Sequence, residues 1–245
     1  MTNKKILVAV SSRSTGKGII RFVSSFVEGE NVSIRICVLN DVNEVSEYDD
    51  ILDEICLICF SKSIPLQIEH LTADERDQLF SRAAFSDLLV IEKQVLQFLA
   101  LGHDFPANSC ASIAIPENFN SISNILLITD GSPRSIQGVK QFFQTFPKLT
   151  GNPDVNWLSV RSNEHTLSSD EERLLLEYLK QYSKNVGILK VEEPITEKLL
   201  KPIRYDNHTI VVSNMNYLLS KYGEDVVFKP FFDNRTALFF PSLTA

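Results

Sequence analysis

The sequence repeats itself, and that repeat constrains the fold more than any other feature. Lys5-Ile6-Leu7-Val8-Ala9-Val10 lines up with Asn124-Ile125-Leu126-Leu127-Ile128-Thr129. Gly18 and Phe22 match Gly138 and Phe142 after a one-residue shift. Leu88-Leu89-Val90-Ile91 matches Ile210-Val211-Val212-Ser213, and Ser112-Ile113-Ala114-Ile115-Pro116 matches Ala237-Leu238-Phe239-Phe240-Pro241. Matches that keep one order are more than composition gives, and they mean a supersecondary unit built twice. The matched runs are short, apolar and without alternation, as parallel strands buried on both faces are.

Between these anchors the periodicity predicts helices. Ile19, Ile20, Phe22, Val23, Phe26 and Val27 give helical spacing from Arg13 to Val27. Tyr48 to Phe60 places Ile51, Leu52, Ile55, Ile58 and Cys59 on one face, and Pro65 breaks it. Further helices are predicted from Thr72 to near Ala84, over Val95 to Leu101, and from Ser169 to Tyr182. The last opens on Ser168-Ser169-Asp170-Glu171-Glu172, with serine caps and acids in the first turn. Strands are predicted at Val32 to Leu39, Leu66 to Leu71, Val155 to Val160 and Val186 to Val191. The expected fold class is α/β, with two tandem five-stranded, mostly parallel sheets flanked by helices. The expected domains are residues 1–118 and 122–245. Each sheet would leave an edge open, and two copies in one chain can close it. Packing as an intramolecular pseudo-dimer is therefore expected, and further homo-oligomerisation stays open.

Bulk properties narrow the function. In the 245 residues, 44% hydrophobic and 22% charged content are those of an ordinary globular protein. No run of about 18 apolar residues exists, so no membrane partner is expected. The apolar run Ile6 to Val10 after Lys4 and Lys5 is too short for a secretory signal, which suggests a cytoplasmic protein. A net charge of −7 argues against nucleic acid. The first half, residues 1–119, carries 10 basic and 17 acidic residues, against 14 and 14 in residues 120–245. Much of the excess lies in Asp41 to Glu54, either a solvated helix face or an acidic docking surface for a protein partner.

The stretch with most chemical promise is Asn124 to Phe143. A buried strand ends in Asp130-Gly131-Ser132-Pro133, where Ser132 suits an N-cap and Pro133 the first helical position. Ligands of parallel α/β folds sit at the carboxyl ends of strands, where Asp130 stands. The same residues make good turn chemistry, so both readings stay open. Ser11 to Gly18, SSRSTGKG, imitates a P-loop at Gly16-Lys17, but Ser11 replaces its first glycine and Gly18 its Mg²⁺-holding Ser/Thr. A weaker anion site at the helix N-terminus with Lys17, or a plain polar turn, remains. Cys56 and Cys59 have C-x-x-C spacing but apolar flanks and no completing ligands, so they and Cys37 and Cys110 read as structural, with no metal. His70, His103, His165 and His208 are scattered, and no catalytic constellation can be named. The chain is not expected to be an enzyme.

These motifs carry a family resemblance. ILLITDGSPRSIQGVKQF resembles the opening of a universal stress protein domain, whose first strand typically ends in Asp followed by Gly-Ser. SDLLVIE at Ser86 to Glu92 is similar to its fourth strand, and SIAIP and ALFFP to its fifth. The resemblance covers nearly the whole chain as two copies and implies a doubly wound sheet of adenine-nucleotide-binding type, dimerising through fifth strands. It also implies a G-x-x-G-x9-G-[ST] segment after the fourth strand in members that bind ATP. This chain lacks the segment twice: Gly102 is the only glycine between Glu92 and Cys110, and Gly223 the only one between Ser213 and Thr236. Ser11 replaces the strand-end aspartate in the first half, and Glu92 would repel phosphate if it faced the cleft. No cofactor is therefore expected, neither ATP nor another adenine nucleotide. Two readings stand: an interaction or regulatory protein of the stress response with degenerate nucleotide sites, or a sensor of a small molecule or adenine nucleotide. The sensor would use Asp130, Gly131 and Ser132, with Ser213 and Asn214 opposite.

Overall fold

Unbroken apolar runs become the inner strands of the structure, and segments that mix apolar with polar residues become the outer ones. The structure is a computed structural model, and it describes residues 3–11, 16–26, 31–39, 49–72, 76–93, 95, 110–147, 152–161, 166–192, 209–213 and 236–242. The chain divides into two compact units, Met1–Asn120 with Ser242–Ala245, and Ser121–Pro241.

The first unit contains β1 (Lys4–Ser11), α1 (Lys17–Phe26), β2 (Val32–Leu39), α2 (Asp49–Ser61), β3 (Leu66–Leu71), α3 (Arg76–Ala83), β4 (Leu88–Glu92) and β5 (Ala111–Ile115). Its strands are parallel in the order β3-β2-β1-β4-β5. Ile6 to Val10 of β1 are all buried, as a central strand covered on both faces requires. Glu69 of β3 meets Arg82 of α3 at 2.6 Å and Arg35 of β2 at 3.6 Å, tying that helix to the sheet. The helix expected over Val95 to Leu101 lies almost wholly outside the described residues, as do residues 41–48 of the acidic segment.

The second unit contains β6 (Asn124–Thr129), α4 (Pro133–Thr145), β7 (Asp154–Arg161), α5 (Ser169–Leu179), β8 (Val186–Glu192), β9 (Thr209–Ser213) and β10 (Ala237–Phe240). These strands are also parallel, in the order β8-β7-β6-β9-β10. At the start of α5, Ser168 Oγ accepts from the Glu171 backbone N–H and Glu171 accepts from the Ser168 N–H, closing a capping box. The helix stops at Leu179, short of the expected Tyr182, yet Tyr182 still stacks on Phe143 at 4.3 Å. Phe142, Phe143, Phe146, Tyr178, Tyr182 and Phe239 form one aromatic cluster.

Register carries the internal repeat into three dimensions. Ile6 pairs with Leu88 and Leu88 with Ala111, while Ile125 pairs with Ile210 and Ile210 with Ala237. The sequence alignment of the first and fourth strands is thus also the structural one. The fifth strands differ by one residue, since register equates Ala237 with Ala111 and the sequence match equates it with Ser112. Pro116 and Pro241 nevertheless reach the same place in their units, against Gly18 of α1 and Gly138 of α4.

The end of α2 is fixed by a paired hydrogen-bond motif. Ile64 N–H donates to Cys59 O at 2.8 Å and Ser63 N–H to Phe60 O at 3.1 Å, with Ser63 at φ 53°. Glycine is the usual residue at that left-handed position because it has no Cβ to strain. Ser63→Gly is therefore expected to stabilise the first unit by about 0.5–1 kcal/mol, read as an increased urea midpoint at unchanged slope. A lower midpoint would show that the serine side chain stabilises this turn.

Candidate functional site

In each unit the chain winds outward from its first strand to one edge, then returns across that strand to the fourth. The reversal lies between β1 and β4 and between β6 and β9, and ligands of doubly wound sheets bind at the carboxyl ends of such strand pairs.

In the second unit β6 delivers Asp130 to that point, where it is 5% exposed. Asp130 Oδ1 accepts from the Ser132 backbone N–H at 3.0 Å and from Ser132 Oγ at 2.7 Å. Ser132 Oγ in turn accepts from the Ser135 N–H at 3.2 Å, capping α4. Gly131 sits between them at φ 78°, and a Cβ there would lie 3.3 Å from Leu167 N. The loop before α5 therefore closes against the turn. Beneath it, Trp157 Nε1–H donates to Thr129 Oγ1 at 2.8 Å. Ser213 ends β9 level with Ile128, one strand over from this turn. The structure thus brings Asp130, Gly131 and Ser132 into one hydrogen-bonded turn. Asn214, and the chain after it that would hold a phosphate segment, lie outside the described residues.

The first unit has a different device. Ser11 ends β1, and the backbone N–H of Ser11 donates to Glu92 Oε2, at the end of β4, at 3.4 Å. Glu92 is 6% exposed and Lys93 beside it 2%. Burial pushes the Glu92 carboxyl up to about 7, opposed by the Ser11 N–H and reinforced by the negative charge of Glu117. In the sequence Glu92 reads only as a repeller of phosphate. Its signal was available, an acid at the end of an otherwise apolar strand.

The imitation P-loop is described only in part. Gly16 has φ 55° and its carbonyl accepts from Ile20 N–H at the start of α1. Pro116 O and Glu117 O lie against Gly18 in the first turn of that helix. Cys37, Cys59 and Cys110 are buried, and burial raises their thiols, Cys37 and Cys110 to about 11. No group of three metal-ligating side chains occurs among the described residues. His103, His165 and His208 lie outside them. A cavity of about 430 Å³ lined by Asp154, Asn156, Lys184, Asn185 and Gly187 opens at the amino ends of β7 and β8, the opposite end from Asp130. No helix among the described residues is long and apolar enough to cross a membrane.

No protein-family profile and no curated protein sequence matches this chain. Solved structures do. A universal stress protein from Archaeoglobus fulgidus DSM 4304 superposes with TM-score 0.63 at 10% identity, covering 99% of each chain. A functionally unknown protein of Pseudomonas aeruginosa PAO1 gives 0.57 at 11% identity, covering 97% of this chain and 92% of its own. A candidate universal stress protein of Pseudomonas aeruginosa UCBPP-PA14 gives 0.51 at 12%, covering 86% and 82%. At such identities the likeness establishes the fold: an α/β fold with parallel strands flanked by helices, of the kind seen in universal stress proteins.

Proposed function

We propose that this chain is a non-enzymatic protein of the universal stress protein type, acting in a stress response by meeting other proteins. In this reading it is a tandem of two such domains, paired as a pseudo-dimer, and neither domain holds ATP in the family's manner. The observation that carries the reading is that the chain's own groups use both strand reversals. Asp130 spends Oδ1 on the Ser132 turn, and buried Glu92 reaches the Ser11 N–H. The missing glycines support it, because phosphate-cradling backbone needs residues without side chains.

A thermal-shift titration with ATP, ADP and AMP tests the proposal, with fluorescence of the single tryptophan, Trp157, as a local reporter. No nucleotide is expected to move the melting temperature or the emission. A ligand at 100 times its dissociation constant would add about 2.7 kcal/mol. Stabilisation of that size, lost in Asp130→Ala, would overturn the interaction reading and establish a sensor at Asp130, Gly131, Ser132 and Ser213.

A further inference from the structure

The helix α2 is buried along one stripe and displays apolar side chains along another. Ile55 and Cys59 are 0% and 1% exposed and face the core. On the outward side Leu57 is 67% exposed and Phe60 87%, three residues apart and therefore neighbours on the helix surface. Asp53 and Glu54, also exposed, precede them by one turn. In sequence, Asp41 to Ser61 contains seven acidic residues and no basic one, and Lys62 follows. The hydrogen-bonded end of α2, through Ser63 and Ile64, holds Phe60 in the last turn of an ordered helix.

The second unit shows that this is not a requirement of the fold. Its helix between the second and third strands, α5, turns Arg173 outward between Asp170 at 3.8 Å and Glu177 at 3.0 Å. That face pairs its charges in part and exposes one large apolar residue, Leu174. On α2 no ion pair to Asp53 or Glu54 occurs among the described residues. Two adjacent large apolar side chains beside the exposed carboxylates of Asp53 and Glu54 are the makings of an interface, with anchors and steering charge.

We propose that the Asp53–Leu57–Phe60 face of α2 docks a basic amphipathic segment of a partner protein. The assignment rests on the interaction reading above and names its surface and partner chemistry. Charge selects the occupant. A second copy meeting this face through a two-fold axis would bring acid against acid, and an anionic membrane would be repelled in the same way. A segment with leucine-like anchors flanked by Lys or Arg satisfies both halves of the surface.

The experiment uses the full chain and an 18-residue Lys/Leu amphipathic peptide, with a Glu/Leu peptide of the same pattern as control. Fluorescence anisotropy is expected to show saturable binding of the basic peptide alone. Binding should weaken about tenfold or more in Leu57→Ser/Phe60→Ser, with the melting temperature unchanged, and also in Asp53→Lys/Glu54→Lys. Equal binding of both peptides, or variants that bind as tightly as the wild type, would overturn the assignment. So would a wild-type dimer in sedimentation velocity that Leu57→Ser/Phe60→Ser dissolves. Photo-crosslinking in cells separates this failure from that of the broader reading, using benzoylphenylalanine at position 57 or at position 174. Protein adducts from position 57 support the face. Adducts from 174 alone overturn it while leaving an interaction protein, and none from either overturns both.

Discussion

Gly18→Ala is expected to destabilise the first unit by about 3 kcal/mol, although alanine is the better helix former by about 1 kcal/mol. A Cβ at residue 18 would stand 2.1 Å from the carbonyl oxygen of Pro116 and 3.0 Å from its carbonyl carbon. The obstacle is backbone, so no rotamer change relieves it. The segment carrying it is itself held, because Arg21 donates to Phe119 O at 3.1 Å and to Asn120 Oδ1 at 2.7 Å. Phe119 is 1% exposed and packs edge-on against Phe22. The equivalent Gly138→Ala should cost less, about 1–2 kcal/mol, because a Cβ there meets side-chain atoms of Pro241, Cγ at 2.8 Å. Pro241→Ala should rescue Gly138→Ala, and Pro116→Ala should not rescue Gly18→Ala. Hydrogen exchange over residues 4–11 reads the first unit, and Trp157 emission in urea reads the second. Equal rescue at both sites would show that carbonyl contact is not what demands Gly18.

The second large effect is a pH dependence from Glu92. Its carboxyl is raised from 4.5 to about 7, so between those values the folded state holds a proton that the unfolded state has released. The stability of the neutral form is fully present below about pH 4.5 and is lost as pH rises through about 7. At 1.36 kcal/mol per pH unit the loss by pH 8 is on the order of 3 kcal/mol. Glu92→Gln keeps the shape and removes the titration. It should match the wild type near pH 5 and exceed it increasingly toward pH 8 in parallel urea titrations. Identical pH slopes for the two proteins would sink the assignment of this titration to Glu92.

Much of the architecture was legible in the chain. The runs Ile6 to Val10 and Ile125 to Ile128 read as strands because strands buried on both faces carry short unbroken apolar runs. The start of α5 was legible because Ser168 and Glu171 satisfy backbone donors locally. The one-residue offset of the fifth strand was hidden, since register depends on partners far along the chain. The candidate site was readable in identity and undecided in role. Asp130-Gly131-Ser132 suits a turn or a ligand contact, and the structure adds the two turn bonds to Oδ1. Glu92 was visible as an acid, but its turn toward Ser11 N–H depends on the adjacency of β1 and β4.

By itself the sequence determined most of the strands and helices that the structure describes, because periodicity, caps and prolines act over a few residues; it missed some starts, since the first helix, expected from Arg13, begins at Lys17. It also determined that the glycines of a phosphate cradle are missing, since composition needs no fold. The tertiary structure alone decided what faces what. Helical spacing already grouped Ile55 and Cys59 on one face and left Leu57 and Phe60 off it, but only the fold decides that the first pair is covered and the second stays exposed. Burial follows from which side of a helix meets the sheet, and that is settled when distant strands pair.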